Sequence, residues 1–249
     1  MNEKEQKSLQ TVQADFISTV SHELRTPLTS IRGFADTLLT SGDRLTEEQK
    51  QKFLLIIKEQ ANRLIKLTEN LLAVSKNDVE KLVLKKVNIA PLVENSMTLI
   101  AAQSSKNHFN FKVVDNLSEI LVDTDKFQQI ILNIIENAHK YSNENTGIDV
   151  EITQDDKAVI IRVSDVGAVI DEKDRDRIFE KFTRLSTPLT QKTQGSGLGL
   201  FLTKTLVERM NGTICTYAKG EKTVFEVKFP IAQIGDDVKA LSLIHISEP

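Results

Sequence analysis

The sequence is poor in the residues that build covalent cross-links and aromatic stacking surfaces. It has one cysteine, Cys215, no tryptophan and two tyrosines among 249 residues. One cysteine cannot form an internal disulfide, which fits a reducing compartment. The lack of aromatic platforms argues against single-stranded nucleic acid as a ligand. Basic and acidic residues number 32 and 35, so the chain also lacks the strong positive charge typical of nucleic-acid binding.

Long apolar runs are missing as well. The most apolar stretch, 127–137 (FQQIILNIIEN), is short and is interrupted by polar residues. No segment approaches the roughly 20 apolar residues that a membrane-spanning helix needs, and no signal peptide opens the chain. With 40% hydrophobic and 27% charged residues, the composition predicts a folded cytoplasmic piece. At about 150 residues per domain, the length predicts one to two domains.

The two ends of the chain differ in sequence pattern from the rest of the chain. Residues 241–249 (LSLIHISEP) break the preceding pattern. They resemble the in-frame translation of a transposon end used in sequencing-library preparation. We expect them to be adapter read-through rather than a genuine disordered tail, and exclude them from fold reasoning. Because an informative histidine follows Met1 by only 21 residues, we also expect that upstream sequence has been lost.

Apolar residues spaced by three and four predict two helices in the first part of the chain, over about 1–40 and 46–76. Residues 41–45 (SGDRL) form a predicted turn, and Thr46 with Gln49 forms a capping box. Such a hairpin leaves an apolar stripe exposed, which a second copy would cover. We therefore predict that residues 1–78 form an all-α helical hairpin that dimerises into a four-helix bundle.

After residue 78 the hydrophobic period changes from helical to mixed. Strand patterns fall at 82–89, 109–114, 149–153, 159–164, 213–217 and 224–229. Helical patterns fall at 91–104, 124–141 and 199–210. Residues 79–232 are thus predicted to form an α+β sandwich with one sheet and helices on one face. Residues 233–249 form a predicted tail.

One exposed position carries the most specific motif. Residues 21–28 read SHELRTPL, and the apolar face supplied by Val20, Leu24 and Leu28 puts His22 on the exposed side of its helix. These eight residues resemble the phospho-acceptor box of bacterial two-component sensor histidine kinases, a family that carries the box on a helical hairpin. The resemblance extends over about residues 14–230. It implies ATP-dependent autophosphorylation on His22 and transfer of the phosphoryl group to an aspartate of a response regulator.

The neighbours of His22 suit that chemistry. A neutral imidazole offers a nucleophilic nitrogen near pH 7. Glu23 can accept a hydrogen bond from the other ring nitrogen and stabilise the positive ring that forms on attack. Thr26 lies one turn further on the same face, where the resemblance implies that it orients water for dephosphorylation of the regulator. Pro27 removes a helical hydrogen bond and is expected to bend the helix.

The second predicted domain carries an asparagine motif on a helix. Asn133 and Asn137 are four residues apart and share a helical face. With Lys140 and Tyr141 they resemble the asparagine box of the same kinases. The resemblance implies that Asn133 and Asn137 are cofactor-binding residues and that Asn137 binds Mg²⁺. It also implies that Lys140 approaches the phosphates and that Tyr141 lies against the nucleotide. An oxygen donor that shares the cation with phosphates is usual for Mg²⁺.

Further motifs complete the predicted ATP site. Residues 163–167 (VSDVG) end a predicted strand, and the resemblance implies that Asp165 accepts a hydrogen bond from the adenine amino group, with Gly167 beside it. Residues 178–185 (IFEKFTRL) resemble the phenylalanine box. A glycine-rich segment then opens a helix, where backbone N–H groups can approach phosphate oxygens. Its predicted cofactor-binding residues are Gly195, Gly197, Leu198 and Gly199.

One departure from the family pattern leaves an alternative open. The family reads Asp-x-Gly-x-Gly after the aspartate, whereas Val169 stands at the second glycine. A β-branched residue takes a positive φ poorly and restricts close approach to the nucleotide. The alternative is therefore a non-catalytic or phosphatase-only dimeric scaffold with a degenerate ATP site. The ATPase branch of the fold, seen in gyrases, is disfavoured because Asn133 stands where those proteins carry a glutamate base.

The resemblance also sets expectations for cofactors, partners and location. It implies ATP and Mg²⁺ as cofactors, a homodimer formed through the hairpin and a response regulator receiver domain as partner, without nucleic acid. It implies that the chain is the cytoplasmic portion of a protein anchored in the cell membrane by missing upstream sequence.

Overall fold

The computed structural model describes residues 3–75, 81–102, 106–185 and 197–233. It divides into two units, Met1–Asn77 and Asp78–Pro249. No helix in the described ranges is long and apolar enough to cross a membrane. The two units are described in turn.

The first unit is a helical hairpin. Helix α1 spans Glu3–Ser41 and helix α2 spans Glu47–Ser75, with a short 3₁₀ turn at Gly42–Arg44 between them. The predicted capping box begins α2: the Thr46 N–H donates to Gln49 Oε1 at 2.9 Å and the Gln49 N–H donates to Thr46 Oγ1 at 3.2 Å. Helix α1 continues through Pro27, because proline removes one donor while the neighbouring turns keep their own hydrogen bonds.

The hairpin buries little apolar surface within a single chain. Leu67 is buried, and the Phe34 and Phe53 rings pack across the two helices with centroids 5.0 Å apart. Several large apolar side chains on the same helices are more than half exposed: Leu28, Leu39, Leu54, Leu55, Ile65 and Leu72. The hydrophobic effect favours covering such a stripe.

Among its described residues, the second unit contains three helices and seven strands. The helices are α3 (Ala90–Ala101), α4 (Thr124–Tyr141) and α5 (Gly199–Arg209). The strands are β1 (Lys85–Val87), β2 (His108–Val113), β3 (Ile120–Val122), β4 (Gly147–Gln154), β5 (Ala158–Val166), β6 (Thr213–Lys219) and β7 (Lys222–Pro230). Short 3₁₀ turns occur at Glu172–Asp174 and Arg177–Phe179.

Five of the strands form one sheet, in the order β2-β4-β5-β7-β6. Only β2 and β4 pair in parallel; the other neighbours are antiparallel. Alternate residues of the central strands, such as Ile161 and Val227, join the buried isoleucines of α4 in one hydrophobic core. Because side chains alternate across a strand, the opposite face carries polar residues such as Arg162 and Glu226, paired at 2.6 Å.

The predicted fold class, a helical hairpin followed by an α+β sandwich, is confirmed. The prediction of a single sheet is wrong. A second, two-stranded sheet forms where β1 pairs antiparallel with β3, with Lys85 opposite Val122. Strand β3 has only three residues, which is too short for an alternating pattern to be read from sequence. The long amphipathic helix α4 has the predicted bounds, and the Asp123 carboxylate caps its first turn by accepting from the Lys126 N–H.

Candidate phospho-acceptor and nucleotide sites

His22 and Glu23 point to different environments on α1. His22 is exposed, whereas Glu23 is only 8% exposed and packs toward α2. The Glu23 carboxylate accepts a hydrogen bond from the Arg63 guanidinium of α2, with Nη2 and Oε2 2.8 Å apart. Consecutive helical residues point about 100° apart, so one helix can present the imidazole to solvent and turn the neighbouring carboxylate inward.

Thr26 lies one turn after His22, as its spacing predicts. Its hydroxyl donates to the His22 backbone carbonyl at 3.2 Å. Arg63 was missed by the sequence reasoning, because it lies 40 residues from Glu23 and belongs to no local motif. A basic residue on the predicted inner face of α2 was the only signal that could have indicated it.

The asparagine motif lies on α4, as predicted, and its first member joins two helices. The Asn133 amide donates to the Thr203 hydroxyl of α5 at 2.7 Å. The same amide lies against Gly199, where a Cβ atom would be 2.6 Å from Asn133 Oδ1. Asn137 is half-buried one turn further along α4. The structure therefore gives Asn133 a role in holding the start of α5, beside its predicted role toward the nucleotide.

Helix α4 ends with the predicted lysine and tyrosine. The Lys140 ammonium lies over the Tyr141 ring, 4.7 Å from its centroid. Both side chains are half-buried. A cation and an aromatic face at the same helix end could contact the phosphates and the flat base of a nucleotide.

Asp165 is the buried carboxylate of this region. It is 3% exposed and lies on the core side of β5, between Ile148 of β4 and Thr223 of β7. Burial raises the pKa of Asp165 to about 7, and the positive charge of Lys106 acts in the opposite direction. Near neutral pH the Asp165 carboxyl group can therefore be protonated or ionised, and neighbouring charges determine which form predominates.

Gly167 brings the end of β5 against the end of α4. Ser142 and Gly167 form an isolated antiparallel bridge, and a Cβ atom on Gly167 would overlap the Tyr141 carbonyl oxygen. Glycine is therefore required for this close approach. As a result, two residues predicted to contact the nucleotide, Tyr141 and Asp165, are carried by elements that meet at the end of the central strand β5.

The glycine-rich and phenylalanine segments meet through their backbones. The Phe182 N–H donates to the Gly197 carbonyl at 2.9 Å, and both residues have positive φ, 65° and 67°. Phe179 is buried and meets Phe225 edge to face, with centroids 6.5 Å apart. Leu198 is fully buried, so only its backbone could contact a nucleotide. Gly195 lies outside the described residues.

Val169 does not show the strain that its sequence position predicts. Its side chain is 52% exposed, and its φ is not among the positive values of the described residues. The chain therefore passes this position without the left-handed conformation that disfavours a β-branched side chain.

The donor set around α4 fits a magnesium ion held mainly by a nucleotide. Among the described residues, no group of three or more His, Cys, Asp or Glu side chains could hold a metal by itself. A single carboxamide oxygen, as on Asn137, is the kind of protein ligand that Mg²⁺ uses when substrate phosphates and waters supply the rest.

Both parts of the chain match protein families. Residues 12–80 match the His Kinase A (phospho-acceptor) domain. Residues 122–233 match the histidine kinase-, DNA gyrase B-, and HSP90-like ATPase family. Among curated proteins, the sensor protein KdpD of Clostridium acetobutylicum is 31% identical over 224 residues, 88% of this chain and 25% of KdpD. The sensor histidine kinase WalK of Bacillus subtilis is 30% identical over 241 residues, 94% of this chain and 39% of WalK.

Solved structures of similar fold agree with these matches. ShkA, determined in complex with AMPPNP, is 28% identical with a TM-score of 0.64, over 87% of this chain and 46% of that one. Histidine kinase ThkA, in complex with the response regulator protein TrrA, shares the fold at 23% identity with a TM-score of 0.69, over 92% of this chain and 65% of ThkA. The chain spans well under half the length of the two curated relatives.

Proposed function

The chain belongs to the sensor histidine kinases, and on that premise we propose that it phosphorylates itself on His22 with ATP and passes the phosphoryl group to an aspartate of a response regulator. The observation that carries the proposal is that the imidazole of His22 is exposed on α1, while the next residue, Glu23, turns inward and binds Arg63 of α2. An exposed nucleophile can meet a phosphate donor and later a partner protein.

In the first step, one ring nitrogen of neutral His22 attacks the γ-phosphorus of ATP. A P–N bond forms, the bond from the γ-phosphorus to the bridging oxygen breaks, and ADP leaves with that electron pair. The ring is positive until its other nitrogen loses a proton, and we assign the stabilisation of that charge to Glu23, whose carboxylate accepts from Arg63 in this structure and would turn toward the ring during the reaction. In the second step, the ring takes up a proton from solvent, an aspartate carboxylate attacks the phosphorus, and the P–N bond breaks to release neutral imidazole. In-line positioning supplies most of the rate.

The second unit would bind Mg²⁺-ATP along the edge where α4, β5 and the start of α5 meet. Asp165 would accept from the exocyclic amine of adenine, and Tyr141 would lie against the base. Asn137 would ligate Mg²⁺, which neutralises phosphate charge when bound, with Lys140 nearby. The backbone at Gly197, Leu198 and Gly199 would face the phosphates at a helix start, and Asn133 would hold that start in place.

We further propose that the active form is a homodimer joined by the hairpin, because its apolar stripe is exposed in one chain. Thr26 would orient water in a phosphatase reaction on the regulator. Membrane anchoring of the whole protein through upstream sequence stays a prediction. The non-catalytic alternative was motivated by Val169, and the unstrained, exposed position of this residue does not favour it.

The test is incubation of the chain with Mg²⁺ and γ-labelled ATP, beside a His22→Gln variant. We expect label that is stable to alkali, lost in acid and absent from the variant, since a P–N bond to imidazole hydrolyses in acid. A purified receiver domain added afterwards should remove the label from the kinase. Label that persists in His22→Gln would refute His22 as the acceptor. A folded dimer that neither binds ATP nor becomes labelled would support the scaffold alternative.

A further inference from the structure

A lysine outside the family motifs contacts the last turn of α4, the helix end on which the proposed adenine site depends. Lys106, just before β2, is half-buried, and its ammonium donates to the carbonyls of His139 at 2.9 Å and Lys140 at 3.4 Å. These carbonyls belong to the last turn of α4, where the helix leaves acceptors unpaired and carries partial negative charge. The ammonium thus stabilises the end of the helix that carries Asn137, Lys140 and Tyr141.

The residue after Lys106 holds the loop that follows α4. Asn107 is 6% exposed; its amide donates to the Asn143 and Thr146 carbonyls at 3.0 and 3.2 Å, and it accepts from the Ser142 hydroxyl at 3.0 Å. The loop is in turn tied to β5, because the Asn143 N–H donates to the Val166 carbonyl at 2.8 Å. Residues 106 and 107 therefore brace both elements that meet at Gly167.

Among the described charged groups near Asp165, Lys106 is the cation whose charge acts on the Asp165 carboxyl group. Its strand neighbours Ile148 and Thr223 do not titrate. Asp149 and Lys222 pair with one another on the opposite face of the sheet. His139, on α4, has its pKa lowered by burial and by Lys106, so it adds little positive charge at neutral pH. Burial raises the pKa of Asp165, and among the described residues it is the positive charge of Lys106 that opposes this rise.

We infer, on the basis of the proposed ATP site, that Lys106 is a positioning residue for adenine: it holds the last turn of α4 in place and favours the ionised carboxylate of Asp165, which accepts from the exocyclic amine. Lys106 does not contact the nucleotide in this arrangement. It acts through the carboxylate and through the backbone of α4. The consequence is a preference for adenine over bases without the amine, and this preference depends on pH.

The experiment compares binding of ATP with that of purine riboside triphosphate, which lacks the exocyclic amine. The two ligands carry the same phosphates, so the ratio of their affinities isolates the amine from phosphate titration. The variant is Lys106→Gln, which keeps a donor for the α4 carbonyls and removes the charge. Lys106→Arg restores the charge. The matched control is Lys112→Gln, an exposed lysine on β2.

In the wild type, we expect the preference for ATP to increase as the pH rises from about 5.5 to 9, as Asp165 ionises. In Lys106→Gln this increase should move to higher pH, so the preference near pH 7 falls about fivefold and the two proteins converge near pH 9. The ATP preference of Lys106→Arg should stay within about twofold of the wild-type value, since arginine keeps the charge. The ATP preference of Lys112→Gln should equal the wild-type value at every pH.

If the preference of Lys106→Gln for ATP is reduced by the same factor at every pH, the lysine has a purely structural role and the inference is wrong. The inference is also wrong if the preference of Lys106→Gln depends on pH as it does in the wild type. Should Lys106→Gln not fold, judged by circular dichroism, Lys106→Met is the second variant, with the same expected shift. The proposed function fails separately, and this inference with it, if the wild type binds no ATP. If the wild type prefers ATP but the pH dependence of this preference does not move to higher pH in Lys106→Gln or Lys106→Met, this inference alone is wrong.

Discussion

At the scale of single residues, the helix turn that carries His22 is tied to α2 by the ion pair between Glu23 and Arg63. Glu23 is nearly buried, so its charge requires a partner, and Arg63 supplies it across the hairpin at 2.8 Å. A buried carboxylate without a partner pays an uncompensated desolvation cost. Arg63 therefore contributes both to the stability of the hairpin and to the orientation of the carboxylate beside the phospho-acceptor.

We predict that Arg63→Gln lowers the free energy of unfolding by roughly 1–2 kcal/mol, a value reduced for the partial exposure of the pair. The rate of His22 labelling should also fall, because the turn of α1 that carries His22 and Glu23 loses its ion pair to α2. Urea unfolding and single-turnover labelling measure the two effects. The matched control is Arg32→Gln, whose side chain is 85% exposed on α1; equal losses in both variants would contradict a special role for Arg63.

At the scale of elements, the proposed nucleotide site depends on the fact that α4 and β5 end at the same place. The Ser142–Gly167 bridge and the hydrogen bond from the Asn143 N–H to the Val166 carbonyl join the two ends. Neither contact involves a side chain of the motif itself. The position of Asp165 relative to Tyr141 is thus set by backbone contacts that a single Cβ atom could prevent.

We predict that Gly167→Ala separates these two ends and lowers ATP affinity by at least about tenfold, since backbone on both sides limits relaxation of the overlap. Titration with a fluorescent ATP analogue would measure the loss. The control is Gly147→Ala on β4, where the nearest atom to an added Cβ, Asn110 Nδ2, is 3.5 Å away. Equal affinity in the two variants would mean that the close approach at Gly167 is dispensable.

At the scale of the whole molecule, the exposed apolar stripe on α2 indicates a second copy. Leu54 and Ile65 are 53% and 55% exposed and lie 11 residues apart, which is close to three helical turns, so they share one face. Leu72, seven residues further, continues that face and is 58% exposed. Burying such a stripe against its symmetry mate is the usual solution for a helical hairpin.

We predict that the double variant Leu54→Glu, Ile65→Glu is monomeric, because each glutamate would carry an unpaired charge into the interface. Light scattering after size-exclusion chromatography gives the mass. The control is Leu99→Glu on α3, an equally exposed leucine (51%) of the second unit, which should leave the dimer intact. A dimer that survives the double change would place the interface elsewhere.

Much of the molecule follows from local pattern. Helix α4 has its predicted bounds because its apolar period and its Asp123 cap agree, and the capping box begins α2 where Thr46 and Gln49 predict it. Strand β3 could not be predicted, since three residues carry no period; it is stabilised by pairing with β1, which is distant in sequence. Arg63 and Lys106 could not be assigned either, since their partners lie tens of residues away.

The sequence by itself determined the two-part architecture, the exposed histidine and the order of the nucleotide motifs, because these depend on period and short-range spacing. Only the tertiary structure decided which way Glu23 turns, that Val169 avoids a positive φ, and that Lys106 donates to a carbonyl at the end of α4. The physical reason is that burial and charge pairing depend on residues brought together by folding.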